Sequence, residues 1–299
     1  MVLGVVEISQ RSIRSFLDHS MPTHASALAY QGLFALFPFV IFLGVLVVVL
    51  QADVFLERLI EQTFSQPPPQ IPGPLGPVIE QVRSSIPEQT LRPAVEHLVG
   101  QGQELAESKL LPFGIVFFAI WSASGLAWTL LEALNVVHEV EETRRLWKRF
   151  SLSLVFAPVL AVIVIVGAGL LLIGSRLADW LAVRIGLDET FVALWWWFRI
   201  PVALLLLILA VSAIYHFVPN THRPFRYVAS GAVVAVIVWA LASLGFSFYL
   251  SNFANYGAVY GSIGAAIALL VYLYLSATAL LLGAEVNEAT YRYASKLNP

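Results

Sequence analysis

Cysteine is absent from the 299 residues of this chain. Its absence excludes disulfide bonds, thiolate metal sites and cysteine nucleophiles. Charge is scarce as well: Asp, Glu, Lys and Arg make up 12% of the residues, whereas a soluble domain usually carries about 25%. The formal net charge of -2 argues against a nucleic-acid-binding protein, which would present a basic face.

Motifs of catalysis and cofactor binding are also missing. There is no Gly-x-x-x-x-Gly-Lys-Ser/Thr sequence, so no ATP-binding P-loop is predicted. The histidines form no His-x-x-x-His or His-x-His pair. They are His19, His24, His97, His138, His216 and His222. We therefore expect a protein that is not an enzyme, with no catalytic residue, no bound metal and no cofactor. The N-terminal residues lack an apolar core followed by a small-residue cleavage site, so we expect no cleavable signal peptide.

Apolar residues are abundant, at 59% of the chain with a mean hydropathy of +0.79. Six apolar runs of about 20 residues are long enough to cross the hydrocarbon core of a bilayer. They predict an all-α fold, a polytopic membrane bundle of six transmembrane helices in one domain covering residues 1–299. The predicted spans are 25–50, 111–134, 151–173, 195–217, 228–250 and 262–283.

An amphipathic segment precedes the first span. Its apolar residues recur at helical spacing and are Ile13, Phe16, Leu17 and Met21. This pattern predicts an interfacial helix over residues 8–21 that lies at the membrane surface, ended by Pro22. Arg11 and Arg14 would then lie among anionic lipid headgroups.

Residues 53–110 have a different composition. They are acidic on balance and contain no apolar run long enough to span a membrane, while residues 67–77 are rich in proline and predict a stiff connection. Short amphipathic patterns flank that connection. We expect a helical cap outside the bilayer between the first two spans, which could bind envelope proteins.

Orientation follows from the basic residues, which concentrate on the cytoplasmic side of membrane proteins. Most lysines and arginines fall in segments that share a side with the N-terminus, as in RRLWKR at 144–149, and most acidic residues fall on the other side. Six spans with both termini in the cytoplasm satisfy this bias. The expected location is the bacterial inner membrane.

Polar residues within or beside the spans are the candidates for a cavity or gate. They are Tyr30, Gln31, Ser122, Ser124, Glu132, Asn135, Asn255, Tyr256, Tyr260, Glu285 and Asn287. An ionisable group inside a span is energetically costly and tends to be functional. Hydrogen bonding between helices and interfacial aromatic belts explain most of these positions equally well.

Two positions matter most among them. Glu132 and Asn135 share a helix face that His138 continues, and they suggest either a polar gate or an ordinary helix end at the headgroups. Glu285 follows the last apolar run, where it could face Glu132, pair with Arg144 or Arg145, or be the first interfacial residue. A structural ion pair or hydrogen bond is the first expectation for Glu285, and a transport role is the second.

Small residues recur at every fourth position at the start of the last span. Gly257, Gly261 and Ala265 leave one helix face nearly bare, which favours close contact with another helix. We expect this contact to lie within one chain. Whether the protein is a monomer or a homo-oligomer stays open.

Four stretches carry a resemblance to a known family. They are ALAYQGLFALFPFVI (27–41), WSASGLAWTLLEALNVVHEVEETRRLWKR (121–149), VPNTHRPFRYVASGA (218–232) and GFSFYLSNFANYGAVYGSIGAAIALLVYLYLSATALLLGAEVNEA (245–289). These stretches resemble the YihY/BrkB family of bacterial inner-membrane proteins, formerly mislabelled ribonuclease BN. The resemblance implies a six-span membrane protein linked to serum resistance and virulence, to export of envelope lipids or lipopolysaccharide precursors, or to transport of small solutes. It supplies no catalytic residue.

The leading hypothesis is a transporter or flippase-like exporter of an envelope lipid or another amphiphilic or small solute, with membrane lipids as its partners. The alternative is a non-catalytic membrane scaffold or envelope-assembly factor. Ribonuclease activity is disfavoured because a metal site, an acid–base pair and a basic track for RNA are not apparent in the sequence. Nucleic acid is therefore not an expected partner.

Overall fold

The described part of the chain is mostly helical, with short non-helical connections such as residues 138–145 and 218–221. A computed structural model describes residues 2–49, 93, 97, 100, 111–145, 147–148, 151, 189–221, 225–253 and 256–297. Within these residues the helices are α1 (Val2–Asp18), α2 (Met21–Val49), α3 (Leu111–Val137), α4 (Glu189–Phe217), α5 (Phe225–Phe253) and α6 (Tyr256–Leu297). The predicted all-α fold is confirmed for this part of the chain.

Four stretches of these helices are long and apolar enough to cross a membrane. They are Met21–Phe42, Ile120–Val137, Val228–Leu250 and Ala266–Ser295, and a shorter apolar stretch covers Pro201–Phe217. The predicted span 151–173 and the predicted cap 53–110 lie outside the described residues, except for positions 93, 97, 100 and 151. The six-span count therefore stays a prediction.

Helix α6 is the centre of the arrangement. It packs against α1, α2, α3 and α5, while α2 also packs on α3, and α4 packs on α5. The buried apolar core includes Met21, Leu134, Val228 and Leu281, each with an exposed fraction of 0%. These residues come from four different helices, so the core joins the starts of α2 and α5 to the end of α3 and the middle of α6.

The closest helix contact joins α5 and α6 at two glycines. A methyl group on Gly231 would lie 2.2 Å from the carbonyl oxygen of Gly283, and one on Gly283 would lie 2.6 Å from the carbonyl oxygen of Gly231. The hydroxyl of Tyr215 on α4 donates to the carbonyl of Leu280 next to this crossing. Small residues permit such close backbone approach, so the two helices meet here without intervening side chains.

The N-terminal helix differs from its predicted bounds. Helix α1 covers Val2–Asp18 rather than 8–21, and Pro22 lies in the first turn of α2 instead of ending α1. Proline is accepted there because a first-turn N–H has no helical partner to lose. The chain turns between the two helices at Ser20, whose φ is +54°.

The last helix is longer than the predicted span 262–283. It continues without interruption to Leu297, so Glu285, Asn287 and Glu288 lie inside a helix rather than at its end. The surroundings of Gly257, Gly261 and Ala265 lie outside the described set, and the packing predicted for these residues is not tested. The tight contact that the structure does describe uses Gly231 and Gly283 instead.

Candidate functional site

Six ionisable residues meet where α1, α3 and α6 converge. They are His19, His138, Glu139, Glu285, Glu288 and Arg292, and we call them the carboxylate–histidine network. Helix α6 supplies the last three on successive turns, at i, i+3 and i+7, because that spacing keeps side chains on one helix face. The histidines and Glu139 come from the ends of α1 and α3.

His19 lies between two carboxylates. Its Nδ1 is 2.7 Å from Oε1 of Glu285, and its Nε2 is 3.6 Å from Oε1 of Glu139. The side chain of Glu285 is 2% exposed, against 54% for Glu139. The hydrogen bond between His19 and Glu285 is short and partly buried, and it joins the end of α1 to α6.

Glu288 is held from two sides. Its Oε2 is 2.7 Å from Nδ1 of His138, and its Oε1 accepts a 2.7 Å hydrogen bond from Nε of Arg292. Arg292 also lies 2.9 Å from Oε1 of Glu139 through a terminal guanidinium nitrogen. Arg292 therefore bridges a buried carboxylate on its own helix and a half-exposed one at the end of α3.

Two tight turns place these groups. Helix α3 ends at Val137, and Glu139 follows with φ +51°, while N–H groups of Glu139 and Val140 donate to the carbonyls of Val136 and Asn135. This is the Schellman arrangement, which usually has glycine at the left-handed position. Here a glutamate occupies that strained position and directs its carboxylate at Arg292. Ser20 adopts a similar φ directly after His19.

A small cavity opens beside the network. It has about 200 Å³ of empty space, part of it open to solvent, and its lining comes from α1, α6 and the end of α3. The polar lining residues are Arg11, Ser15, His19, Glu139, Glu285, Glu288 and Arg292. The enclosed part of this space is about 10 Å³, which is enough for roughly one water molecule, so the cavity in this conformation does not hold a lipid headgroup.

The two histidines differ in their hydrogen-bonding environment. Both ring nitrogens of His19 face carboxylate oxygens, those of Glu285 and Glu139. His138 is 2% exposed, and its Nε2 is buried with no hydrogen-bond partner. A neutral ring that donates from Nδ1 to Glu288 fits this site, because a second N–H would be buried without an acceptor.

Glu139, the half-exposed carboxylate of the network, has a lowered pKa. The hydrogen bond from Arg292 lowers the pKa of Glu139, an effect that its partial desolvation opposes. Attraction to Arg292 and His19 lowers this pKa further. Glu139 is therefore an anion over a wider pH range than an isolated glutamate.

A second polar cluster joins the loop after α3 to the turn after α4. Asn135, at 5% exposed, accepts from the backbone N–H of Asn220 and donates to Glu142, both at 2.8 Å. Arg144 donates to the carbonyls of Val218 at 3.0 Å and Pro219 at 2.7 Å. Its cation thereby satisfies carbonyl groups at the end of a helix, where positive charge is favourable.

The predicted polar face at the end of the second span is divided by the fold. Asn135 and His138 are buried but serve the two different clusters. Glu132 is exposed and accepts from Nε1 of Trp128 on its own helix at 2.7 Å. Glu285 pairs with His19, and not with Arg144, which binds the α4 turn.

The other predicted cavity residues do not gather in one described place. Tyr30 is 55% exposed, and its ring packs against that of Phe34 at a tilt of 45°. The carbonyl of Phe34 accepts a 3.3 Å hydrogen bond from Ser122. Gln31 packs on Gly125 of α3. Ser124 bonds to Ile120 on its own helix, and Asn287 is 2% exposed with its Cβ against Gly231. Asn255 and the side chains of Tyr256 and Tyr260 lie outside the described set.

Sequence reasoning missed four network residues: His19, Glu139, Glu288 and Arg292. The signal for two of them was present, since Glu285, Glu288 and Arg292 share one helical face once the last helix is extended. His19 left no comparable signal, because its partner is 266 positions away. Among the described residues, no group of three His, Asp or Glu side chains is arranged to hold a metal ion.

Comparison with known proteins gives the family. The profile of the virulence factor BrkB family matches residues 12–299. The putative ribonuclease-like protein YfkH of Bacillus subtilis is 34% identical over 275 residues, covering 92% of this chain and 91% of YfkH. A UPF0761 membrane protein of Chromohalobacter salexigens is 31% identical over 287 residues, covering 92% of this chain and 60% of that protein.

A second UPF0761 membrane protein, from Nitrosospira multiformis, is 33% identical over 196 residues, covering 62% of this chain and 42% of that protein. The chain thus spans less than two thirds of either UPF0761 protein. No solved structure matches it. The family profile covers nearly the whole chain and its helices are membrane-length and apolar, so this chain is an integral membrane protein of the virulence factor BrkB family.

Proposed function

We propose that this protein is an exporter of amphiphilic envelope components, lipids or solutes, in the bacterial inner membrane. Six spans and cytoplasmic termini are part of the proposal, which places the carboxylate–histidine network at the cytoplasmic end of the bundle. The proposal assigns membrane lipids as partners and no enzymatic activity.

The carrying observation is the burial of two carboxylates within one membrane-length helix. Glu285 and Glu288 lie in the candidate span Ala266–Ser295 and are 2% and 3% exposed. Ionisable groups at such positions are expensive and usually belong to a substrate or ion pathway. Well-packed apolar residues would give comparable or greater stability at lower cost, which favours a functional reason for keeping them.

The network also suggests an energy source. It includes histidine–carboxylate pairs whose hydrogen bonds change when a proton is gained or lost. No P-loop is present in the sequence. We propose that any energy for export comes from the proton gradient rather than from ATP.

One observation favours the alternative, a membrane scaffold. The cavity beside the network encloses only about 10 Å³, far less than a lipid occupies, and α5 and α6 are in close contact at Gly231 and Gly283. A scaffold needs no transport path. An exporter with this structure must widen the cavity in another conformation.

Reconstitution separates the two functions. The purified full chain is placed in vesicles of phosphatidylethanolamine and phosphatidylglycerol with a trace of fluorescently labelled phosphatidylethanolamine. Dithionite then measures how fast the inner-leaflet probe becomes accessible, with and without a pH gradient. An exporter of amphiphiles makes the probe accessible faster than in protein-free vesicles. Equal rates in both vesicle types would contradict lipid export and support the scaffold.

Matched variants connect the activity to the network. Glu285→Gln removes one buried carboxylate, whereas Glu132→Gln makes the same chemical change at an exposed position outside the network. We expect the first to abolish probe movement and the second to leave it near the wild-type rate.

A further inference from the structure

The contact between α1 and the rest of the bundle includes the histidine–carboxylate pair His19–Glu285. Helix α1 packs mainly on α6 and more weakly on α2. Its inward polar contact is the 2.7 Å hydrogen bond between His19 and Glu285. Ser12, at 1% exposed, bonds only within its own helix, to Ile8 at 2.8 Å.

The three carboxylates of the network are compensated unequally. Glu288 accepts from both His138 and Arg292, and Glu139 pairs with Arg292 while half of its side chain remains in water. Glu285 has a single hydrogen bond, from His19, and is 2% exposed. A buried carboxylate with so little compensation is the one that most readily becomes neutral.

Charged groups from three elements face the His19–Glu285 pair. They are Arg11 from α1, Glu139 from the end of α3, and Glu288 and Arg292 from α6. Among the described residues, α2 contributes no titratable side chain to the cavity lining. The pKa of Glu139 is lowered by Arg292, so Glu139 keeps its charge as the pH falls. His19 gains no new acceptor when Glu285 takes up a proton.

We propose that the His19–Glu285 pair is a proton-responsive contact that holds α1 on α6 at neutral pH and releases it on acidification. A proton from water binds the Glu285 carboxylate, which becomes a neutral carboxyl group. The hydrogen bond from His19 then has a neutral carboxyl oxygen as its acceptor in place of a carboxylate oxygen. Charge-assisted bonds are about twice as strong as neutral ones, so the remaining α1 contact is weaker.

The outer surface of α1 supports its role as the moving element. Val6, Ile13 and Leu17 are 49%, 58% and 63% exposed and lie in one stripe on the helix, away from the face that carries Ser12 and His19. Such a stripe remains in contact with the lipid interface when the inner face separates from α6. Separation of α1 therefore does not require Val6, Ile13 or Leu17 to enter water, whereas the packing of Phe16 against the core is lost.

The inference is tested without any substrate, so its outcome is independent of the export proposal. Because the chain has no cysteine, Ser9→Cys and Ser295→Cys, both exposed, accept spin labels on α1 and α6 alone. The full chain is measured in lipid nanodiscs by pulsed electron resonance at about pH 7.5 and about pH 5, which spans the range where such groups titrate. Arg145→Cys with Ser295→Cys is the reference pair for the loop after α3.

The expected result is a single narrow α1–α6 distance at the higher pH. At the lower pH a second, broader distance population appears, while the distance of the reference pair is unchanged. In the Glu285→Gln background the second population is present at both pH values, and in the Glu132→Gln background the wild-type response persists. An α1–α6 distribution in the wild-type background that does not change with pH would overturn the proposal, as would a wild-type pH response in Glu285→Gln. The wild-type measurement decides the question even if Glu285→Gln fails to fold.

Discussion

At the scale of single residues, two glycines set the separation of α5 and α6. Methyl groups at Gly231 and Gly283 would meet backbone carbonyl oxygens at 2.2 Å and 2.6 Å. Carbonyl groups inside helices cannot move aside as a flexible side chain can. The close contact also places Tyr215 and Asn287 against the crossing, so the effect of widening it extends to α4.

Gly231→Ala and Gly283→Ala should each lower the free energy of unfolding by about 1–3 kcal/mol, the usual effect of overpacking. The measurement is the intrinsic tryptophan fluorescence of the purified protein on heating in detergent. Gly245→Ala is the matched control, because a methyl group there meets nothing within 4 Å. It should be neutral or stabilising by up to about 1 kcal/mol through helix propensity. Equal melting temperatures for all three variants would mean that the two helices do not meet at Gly231 and Gly283.

The ion pair of Glu139 makes a separate, pH-dependent contribution. A lowered carboxyl pKa stabilises the folded state above the ordinary glutamate pKa, and this stabilisation is lost as the pH falls through the lowered value. Glu139→Gln should therefore melt below wild type at neutral pH, and the gap should narrow on acidification through that range. Melting curves at a series of pH values test this. A gap that stays constant or widens as the pH falls would contradict it.

At this scale the sequence identified individual residues better than their partners. Glu285 stood out because a charge follows a long apolar run, and burial at 2% agrees with its unusual position. The pairing of Glu285 with His19 could not be predicted from the sequence. This pairing depends on the angle at which α1 packs against α6, which no local pattern determines. The same limit explains why the small face at 257–265 was visible while the Gly231–Gly283 contact was not: helix partners are not encoded in a local pattern.

At the scale of elements, two turns with positive φ position the network. Ser20 and Glu139 each follow a network histidine and adopt φ values of +54° and +51°. Non-glycine residues are strained in this region. Glu139 uses its side chain to bind Arg292, whereas Ser20 is exposed.

Replacing Ser20 with glycine should relieve strain and raise stability by up to about 1 kcal/mol. Ser9→Gly is the control inside α1, where glycine should lower stability by about 0.5 kcal/mol. Heating followed by circular dichroism measures both changes. Opposite signs for the two variants are the expected outcome, and a loss of stability in both would show that Ser20 does not hold a left-handed turn.

Helix positions were predictable because apolar runs of membrane length have few alternatives. Helix ends were not. Pro22 looked like a terminator but begins α2, and the span expected to end near residue 283 belongs to a helix that continues to Leu297. In both cases tertiary contacts extend or start a helix where local signals indicate a boundary.

At the scale of the whole molecule, the absence of cysteine makes the topology directly testable. Single cysteines can be introduced with no background at Glu7, at Gln70 in the predicted outer cap, and at Ser295. In intact cells a membrane-impermeant maleimide should label the Gln70→Cys protein alone. Glu7→Cys and Ser295→Cys should react only after the membrane is permeabilised. Labelling of either terminus in intact cells would contradict cytoplasmic termini.

The most direct test of the central claim compares transport with stability across one set of variants. Gly231→Ala and Gly283→Ala weaken packing outside the network. Their transport rates and melting temperatures together give the relation between transport and stability when stability alone is reduced. Glu285→Gln should lose far more transport than a glycine variant with the same melting temperature. Glu132→Gln should match wild type in both transport and melting temperature. If Glu285→Gln falls on the same relation as the glycine variants, the carboxylate–histidine network is a structural contact and not a functional site.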